Sequence, residues 1–240
     1  VADAFAAAGH QLHLVGGIVR DQLLDERAAW SDLDCTTDAR PADIKRIVAP
    51  IADAVWTQGE RFGTIGCRID GDAWEITTFR GEAYDPTSRK PAVVFADALE
   101  HDLSRRDFTI NAMAVDARTG ELHDPFGGRD DLARRVLRTP SGADLSFSDD
   151  PLRMLRAARF LARFALTPAP DLDRAIEQRR ERLAIVSVER VRDELHKLLL
   201  VVDPTAGIRF LVDHGLLTRW LPELGALGAV HDPAHGDRDV

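Results

Sequence analysis

The chain is poor in lysine, in cysteine and in long apolar runs. It has only three lysines beside 28 arginines, and two cysteines among 240 residues. Its longest aliphatic run, 198–202, is far shorter than the roughly 20 apolar residues that a membrane-spanning helix needs. The cysteines, Cys35 and Cys67, are too few for a disulfide framework, so we expect buried, reduced thiols. These absences exclude an integral membrane protein and a disulfide scaffold, and we expect a cytoplasmic protein.

The chain also lacks an initiator methionine, the basic start of a signal peptide and any internal repeat. We therefore expect it to begin inside a longer protein. A composition of 45% hydrophobic and 30% charged residues is that of an ordinary globular protein. The net charge of −9 argues against general attraction to nucleic acid, but residues 149–197 carry ten arginines and one lysine against nine acids. Any RNA partner would have to use this locally basic stretch.

The patterning of the chain changes near residue 139. Residues 1–138 mix short strand and helix patterns, and Asp70-Gly71 between two β-rich runs predicts a hairpin. Residues 81–91 are polar without a period and predict a mobile loop. Beyond residue 139, helical periodicity marks 150–164, 172–183, 188–200 and 204–217. We predict an α+β catalytic head over 1–138, a helical part over 139–224, and a linker over 225–240.

A glycine pair follows the first predicted strand and precedes a predicted helix. Glycine lets the backbone approach a ligand closely, and N–H groups at a helix N-terminus can hold a phosphate. Gly16 and Gly17 are therefore candidate phosphate-binding residues, and Arg20 would add a charged donor to the same anion. Alone, the pattern also fits a simple strand–helix turn.

Two aspartates, Asp32 and Asp34, lie shortly downstream of the glycine pair. Alternate residues of a strand point to the same face, so both carboxylates should converge on one spot. Such close negative charges repel each other unless a cation lies between them, and Mg²⁺ binds one or two carboxylates together with substrate phosphates. We predict that Asp32 and Asp34 are catalytic ligands of a two-magnesium site. An exposed pair of strand acids is the alternative.

Two further groups of residues carry less specific signals. Glu75 lies in a predicted strand between apolar residues and is either a third carboxylate of the metal site or a structural acid paired with an arginine. The run 105–112, which begins Arg105-Arg106-Asp107, would be costly to bury without partners. Arg106 is a candidate clamp for a triphosphate, although a surface ion pair would give the same pattern.

The fifth group is a row of charges at helical spacing, Asp150, Arg153, Arg156 and Arg159. Cytosine and adenine each present an amino donor beside an unprotonated ring nitrogen. Asp150 would accept from the amino group and Arg153 would donate to the ring nitrogen, whereas uracil and guanine present the opposite pattern. The pair can therefore select C and A without a template, and Arg156 and Arg159 could bind phosphates. An ordinary amphipathic helix is the alternative.

Together these motifs resemble the class II CCA-adding enzymes (tRNA nucleotidyltransferases) and the related bacterial poly(A) polymerases of the DNA polymerase β superfamily. The resemblance covers about 11–222 and includes Asp124-Pro125-Phe126-Gly127-Gly128 and the run 189–195, Glu-Arg-Val-Arg-Asp-Glu-Leu. It implies a polymerase-β-like head with a small mixed sheet, followed by a helical neck and the beginning of a body.

The resemblance also implies roles and substrates. Asp32 and Asp34 would bind magnesium, and the nucleotide-binding positions would be Gly17, Arg20, Arg106, Asp150, Arg153, Arg156 and Arg159. The substrates would be CTP, ATP and a tRNA or other RNA 3′ end, and residues 81–91 would correspond to the loop that switches from CTP to ATP. Asp149 stands where the family usually has glutamate.

Several activities share these motifs. CCA addition, polyadenylation, and addition of CC or A alone all use the base-reading pair, and we favour CCA addition. A retired RNA-binding module is expected to have lost an acid of the metal pair, and a regulatory nucleotide-binding protein would not need that pair. Residue patterns predict nothing about oligomeric state.

Overall fold

The structure is a computed structural model that describes residues 1–25, 33–83 and 92–223. The chain divides into two compact units, one of residues 1–134 and 139–141, the other of 135–138 and 142–240. Within the described part of the chain, no helix is both long and apolar enough to cross a membrane. The predicted linker over 225–240 lies outside the described residues.

The first unit is built on a mixed sheet. In the residues that the structure describes, its strands are β1 Leu12–Val15, β2 Leu33–Thr37, β3 Ala54–Trp56, β4 Thr64–Ile69, β5 Asp72–Thr78, β6 Arg80–Ala83, β7 Ala92–Phe95, β8 Ala114–Asp116 and β9 Leu122–His123. Seven of them form one sheet in the order β3-β4-β5-β2-β1-β8-β9, and β6 and β7 form a separate ribbon. Within the large sheet, β2 and β5 are parallel, and the other neighbours are antiparallel.

Helices cover one face of this sheet. The helices of the unit are α1 Ala2–Ala7, α2 Gly17–Leu24, α3 Pro41–Val48, α4 Leu99–Ser104 and α5 Gly128–Ala133, with 3₁₀ turns at Glu60–Phe62 and Thr109–Asn111. Phe5 of α1, Val19 of α2 and Ile44 of α3 pack with the apolar strand residues Leu33 and Cys35 in one buried cluster. Because side chains alternate along a strand, Asp34 between them points to the opposite face and is exposed.

Of two connections predicted from turn residues and polar composition, the hairpin at Asp70-Gly71 forms and the loop over 81–91 differs. The Asp70-Gly71 hairpin is confirmed: β4 and β5 pair antiparallel, and both turn residues have positive φ (53° and 91°), as a type I′ turn requires. The loop predicted over 81–91 is wrong at its start, because Gly81 to Ala83 pair with β7. Residues 84–91 lie outside the described residues.

In the residues up to 223, where the description ends, the second unit is helical apart from a short pair of strands, β10 Val136–Leu137 and β11 Thr167–Pro168. Its described helices are α6 Ala143–Asp149, α7 Leu152–Phe164, α8 Pro170–Arg179, α9 Val188–Leu199 and α10 Thr205–Asp213, with a 3₁₀ segment at Arg180–Ile185. The periodicity did not indicate α6, which is short and half polar but buries Phe147 fully. The predicted fold class, α+β with a small mixed sheet followed by a helical part, is confirmed.

Candidate active site

Two carboxylates lie side by side on the open face of the sheet. Asp34 of β2 and Glu75 of β5 are partners in the parallel register, and both residues are exposed. Neighbouring strands lie about 4.8 Å apart, and side chains at paired positions leave the sheet on the same face. The fold therefore brings Glu75 next to Asp34, although they are distant in the chain.

This pair fits a divalent cation. Two like charges directly opposite each other on a sheet are destabilising, and an ion between them removes the repulsion. Carboxylate oxygens are the ligands that Mg²⁺ prefers. No group of three or more His, Cys, Asp or Glu that could hold a metal occurs within the described ranges. Asp32, the other predicted ligand, lies outside the described residues.

The surroundings of Glu75 bear on its two interpretations, and its role as a metal ligand stays a prediction. A structural acid would need an arginine partner, and across 1–25, 33–83 and 92–223 no hydrogen bond or ion pair joins Glu75 to an arginine. On the same face, Thr64 bonds Thr77 (2.9 Å between hydroxyls) and accepts from the Arg80 guanidinium at 2.7 Å. The geometry therefore favours Glu75 as a carboxylate of the open polar face.

The glycine turn begins beside Asp34. Leu14 pairs with Cys35 across β1 and β2, so the next step of this antiparallel register places Val15 opposite Asp34. Gly16 follows with φ 76° and ψ −132°, a conformation that only glycine adopts without strain, and it caps α2. The turn thus places the N–H groups at the start of α2 at the end of the sheet where the carboxylate lies.

Arg106 reaches this turn from another part of the chain. A side chain added at Gly16 would lie 3.1 Å from an Arg106 guanidinium nitrogen. The same guanidinium donates to the buried carboxylate of Asp102 at 3.2 Å. The structure therefore brings together the glycine pair and Arg106, as expected for a phosphate-binding turn with a cationic donor.

Arg20 takes a more enclosed position than the sequence suggested. Its guanidinium is buried, bonds Asn111 and donates to Asp21 at 2.8 Å. Asn111 in turn donates to Asp107 at 2.9 Å. One nitrogen of Arg20 lies 3.3 Å from where a side chain on Gly17 would be. Arg20 therefore links the turn to the 105–112 segment, and its contact with a nucleotide stays a prediction.

Asp102 is a residue that sequence reasoning missed. It is fully buried and accepts from Arg105 at 2.7 Å, from Arg106 and from the backbone N–H of Arg80 at 3.1 Å. Burial by itself would raise the pKa of Asp102, but the charges of Arg106 and Arg105 outweigh burial and lower it. The sequence did contain a signal for this pairing, because Asp102 precedes Arg105 by three residues and Arg106 by four, which places all three on one face of a helix.

In the second unit, the predicted base-reading residues are held by different neighbours. Asp150, just before α7, accepts from the N–H of Leu152 at 3.2 Å and from Arg190 of α9 at 3.0 Å. Arg153 is buried and donates to Ser146 of α6 at 2.8 Å. Each group thus has a partner outside α7, Arg190 for Asp150 and Ser146 for Arg153.

The two later arginines of the row share one carboxylate. Glu194 of α9 is 3% exposed and accepts from Arg159 at 2.8 Å, from Lys197 at 3.1 Å, and lies 3.7 Å from Arg156. Burial alone would raise the pKa of Glu194, but the hydrogen bond and charge of Arg159, with Arg156 and Lys197, lower it. Arg190 and Glu194 are four apart on α9, so one helix face supports the row.

The cysteines take no part in either site. Cys35 and Cys67 are free and buried. Burial, followed by the charge of Asp34, raises the pKa of Cys35, and burial raises the pKa of Cys67 to about 11. Protonated, buried thiols of this kind pack as small apolar side chains.

Comparison with known families supports the resemblance. Residues 12–138 match the model of the poly A polymerase head domain, and residues 165–227 match the model described as a probable RNA and SrmB- binding site of polymerase A. A CCA-adding enzyme of Geobacillus stearothermophilus is 40% identical over 217 residues, which are 90% of this chain and 52% of that enzyme.

Solved structures that resemble this chain are also CCA-adding enzymes. The Bacillus stearothermophilus CCA-adding enzyme in complex with CTP is 37% identical with a TM-score of 0.79, and the match covers 90% of this chain and 51% of that one. The Thermotoga maritima CCA-adding enzyme complexed with tRNA is 29% identical with a TM-score of 0.77, over 92% and 51%.

The chain thus spans about half the length of the relatives that it matches. The family model alone covers more than half of the chain, from the first strand of the sheet to residue 138. The predicted resemblance is therefore confirmed, and this chain belongs to the family of the poly A polymerase head domain.

Proposed function

We propose that the protein adds C and A nucleotides to the 3′ end of tRNA without a nucleic-acid template, from CTP and ATP. The observation that carries this proposal is the pairing of Asp34 with Glu75 beside the Gly16-Gly17 turn. Two of the similar structures are CCA-adding enzymes with CTP and with tRNA. The setting that we propose for this reaction is the cytoplasm.

The reaction is a displacement at phosphorus. The RNA 3′-hydroxyl oxygen gives up its proton to solvent and forms a bond to the α-phosphorus of CTP or ATP, the bond from that phosphorus to the β-phosphate oxygen breaks, and pyrophosphate leaves. Bound Mg²⁺, two ions in our proposal, would neutralise charge on the attacking and leaving oxygens. Asp32, Asp34 and Glu75 would hold these ions.

The other residues bind and orient the nucleotide. The N–H groups at the Gly16-Gly17 turn and the Arg106 guanidinium would bind the triphosphate, with Arg20 bracing the turn. In the second unit, Asp150 and Arg153 would read the base, and Arg156 and Arg159 would add donors for phosphates. Because these two sets of residues differ in role, we propose that residues 1–138 form a catalytic head and that the neck begins at residue 139.

The length of the product tests this function. The protein is incubated with Mg²⁺, CTP, ATP and tRNA that lacks its 3′ CCA, and the RNA is sized at single-nucleotide resolution. We expect exactly three added residues with both nucleotides, two with CTP alone, and no extension with UTP or GTP. A long A tract would instead support polyadenylation, which the description of the matched head domain favours as the second candidate.

Glu75→Gln is expected to reduce incorporation by about 10- to 100-fold, because a neutral amide replaces one anionic ligand of the proposed metal site. Asp72→Asn is the matched control, since Asp72 is an exposed acid at the start of the same strand. Incorporation of labelled CTP is measured across a range of Mg²⁺ concentrations, and partial recovery at high Mg²⁺ is expected. Wild-type activity in Glu75→Gln would show that Glu75 is not a ligand.

A further inference from the structure

We propose that Arg190 is a positioning residue for base selection, which holds the Asp150 carboxylate in the orientation that accepts the amino group of C or A. This inference rests on the proposed function, because that function assigns base recognition to Asp150. The evidence comes from how differently the two members of the base-reading pair are held.

Asp150 lies outside regular structure. Its backbone is extended (φ −133°, ψ 98°) between the end of α6 and the start of α7. Its side chain is half-buried (32% exposed), so it stays accessible to a ligand and burial alone does not fix the direction of the carboxylate. A helical neighbour would be oriented by its own backbone, but a residue in this link depends on hydrogen bonds for a defined direction.

Two donors from different elements provide that direction. The Leu152 N–H bonds Oδ1 at 3.2 Å, and the Arg190 guanidinium bonds Oδ2 at 3.0 Å. A carboxylate has about four lone-pair sites, so each oxygen keeps a position for the amino group of a base. Without Arg190, the longer bond from Leu152 would be left to orient the carboxylate, and rotation would misalign it with Arg153.

Arg153 does not need this help. It is buried and donates to Ser146, which is itself 3% exposed. The donor half of the pair is therefore fixed by burial, whereas the acceptor half is fixed by Arg190. Loss of Arg190 should therefore weaken the distinction between bases more than it weakens binding of the triphosphate.

The chain offers a matched control two residues along the same helix. Arg192 is also an exposed arginine in an ion pair, but its partner is its own neighbour, Asp193, at 2.8 Å. Exposed pairs of this kind contribute little to stability. Arg190→Met and Arg192→Met thus remove the same chemical group from the same helix. They differ in the partner that loses its ion pair, which is Asp150 in the first variant and Asp193 in the second.

The experiment measures equilibrium binding of CTP, ATP, UTP and GTP with Mg²⁺ to the wild-type chain and to both variants. We expect Arg190→Met to lower the affinity ratio of CTP to UTP by about tenfold, the factor that one hydrogen bond to a charged group carries. Arg192→Met should keep the wild-type ratio, and Arg190→Lys should recover part of it. If Arg190→Met does not fold, as judged by thermal melting, Arg190→Gln takes its place.

A double-mutant cycle with Asp150→Ala separates positioning from a structural effect. Arg190→Met should change the ratio no further when Asp150 is already absent. Equal loss of affinity for all four nucleotides, an unchanged ratio, or a further change in the Asp150→Ala background would overturn the inference. A wild-type chain that binds all four nucleotides equally would instead contradict the proposed base reading, and the inference with it.

Discussion

Asp34→Asn is expected to reduce incorporation of CTP and ATP on the order of 1,000-fold, because the substitution removes a charge that would hold the proposed metal ions at the reacting phosphate. The side chain is exposed, so the loss should not come from unfolding. Stability should stay close to that of the wild type, since the side chain is exposed. Incorporation of labelled nucleotide and thermal melting are measured on the same samples.

Asp53→Asn is the control for this prediction, because Asp53 is an exposed acid of the same unit that lies just before β3. It should leave incorporation unchanged. Wild-type incorporation by Asp34→Asn, or an equal loss in Asp53→Asn, would remove the metal site from the proposal. Loss of melting stability in Asp34→Asn would show that the carboxylate has a structural role instead.

Asp102→Ala is expected to lower the free energy of unfolding by about 3–5 kcal/mol, the cost of leaving a buried charge without its partner. Arg105 and Arg106 both bond this fully buried carboxylate. Arg106 would also lose the anchor that holds it beside Gly16, so nucleotide affinity should fall as well. Urea unfolding and ATP binding are measured against Glu100→Ala, an exposed acid on the same helix.

The lowered pKa of Asp102 adds a pH dependence to this prediction. Because the pKa is lower in the folded state, the stabilisation is fully present above the ordinary pKa of about 4 and is lost as the pH falls through the folded-state value. The free energy of unfolding of the wild type, measured by urea unfolding, should therefore decrease as the pH falls below about 5. Asp102→Asn should decrease less steeply over this range, and an equal slope would contradict the assignment.

Features that depend on neighbours in the chain could be predicted from the sequence. The Asp70-Gly71 turn is one, since positive φ at both residues is a property of those residue types. The exposed position of Asp34 is another, because alternation along a strand follows from the backbone itself. The strand at residues 81–83 could not be predicted this way, because its pairing with β7 overrides a polar composition.

The buried acids show the same division. Asp102 and Glu194 each lie on helices whose acidic residues would ordinarily face water, and only their arginine partners make burial possible. The partners were visible in the sequence as separate motifs. Their pairing was not visible, because local periodicity does not indicate which helices pack against each other.

The sequence by itself determined which chemistry we propose for this protein: a glycine turn that would bind phosphates, carboxylates that would bind a divalent cation, and an Asp–Arg pair that would suit C and A. Tertiary structure alone decided that Glu75 lies beside Asp34, that Arg106 reaches Gly16, and that Arg190 holds Asp150. The reason is physical. Residue type and spacing set the chemistry and local geometry, whereas contacts between distant segments depend on which strands pair and which helices pack.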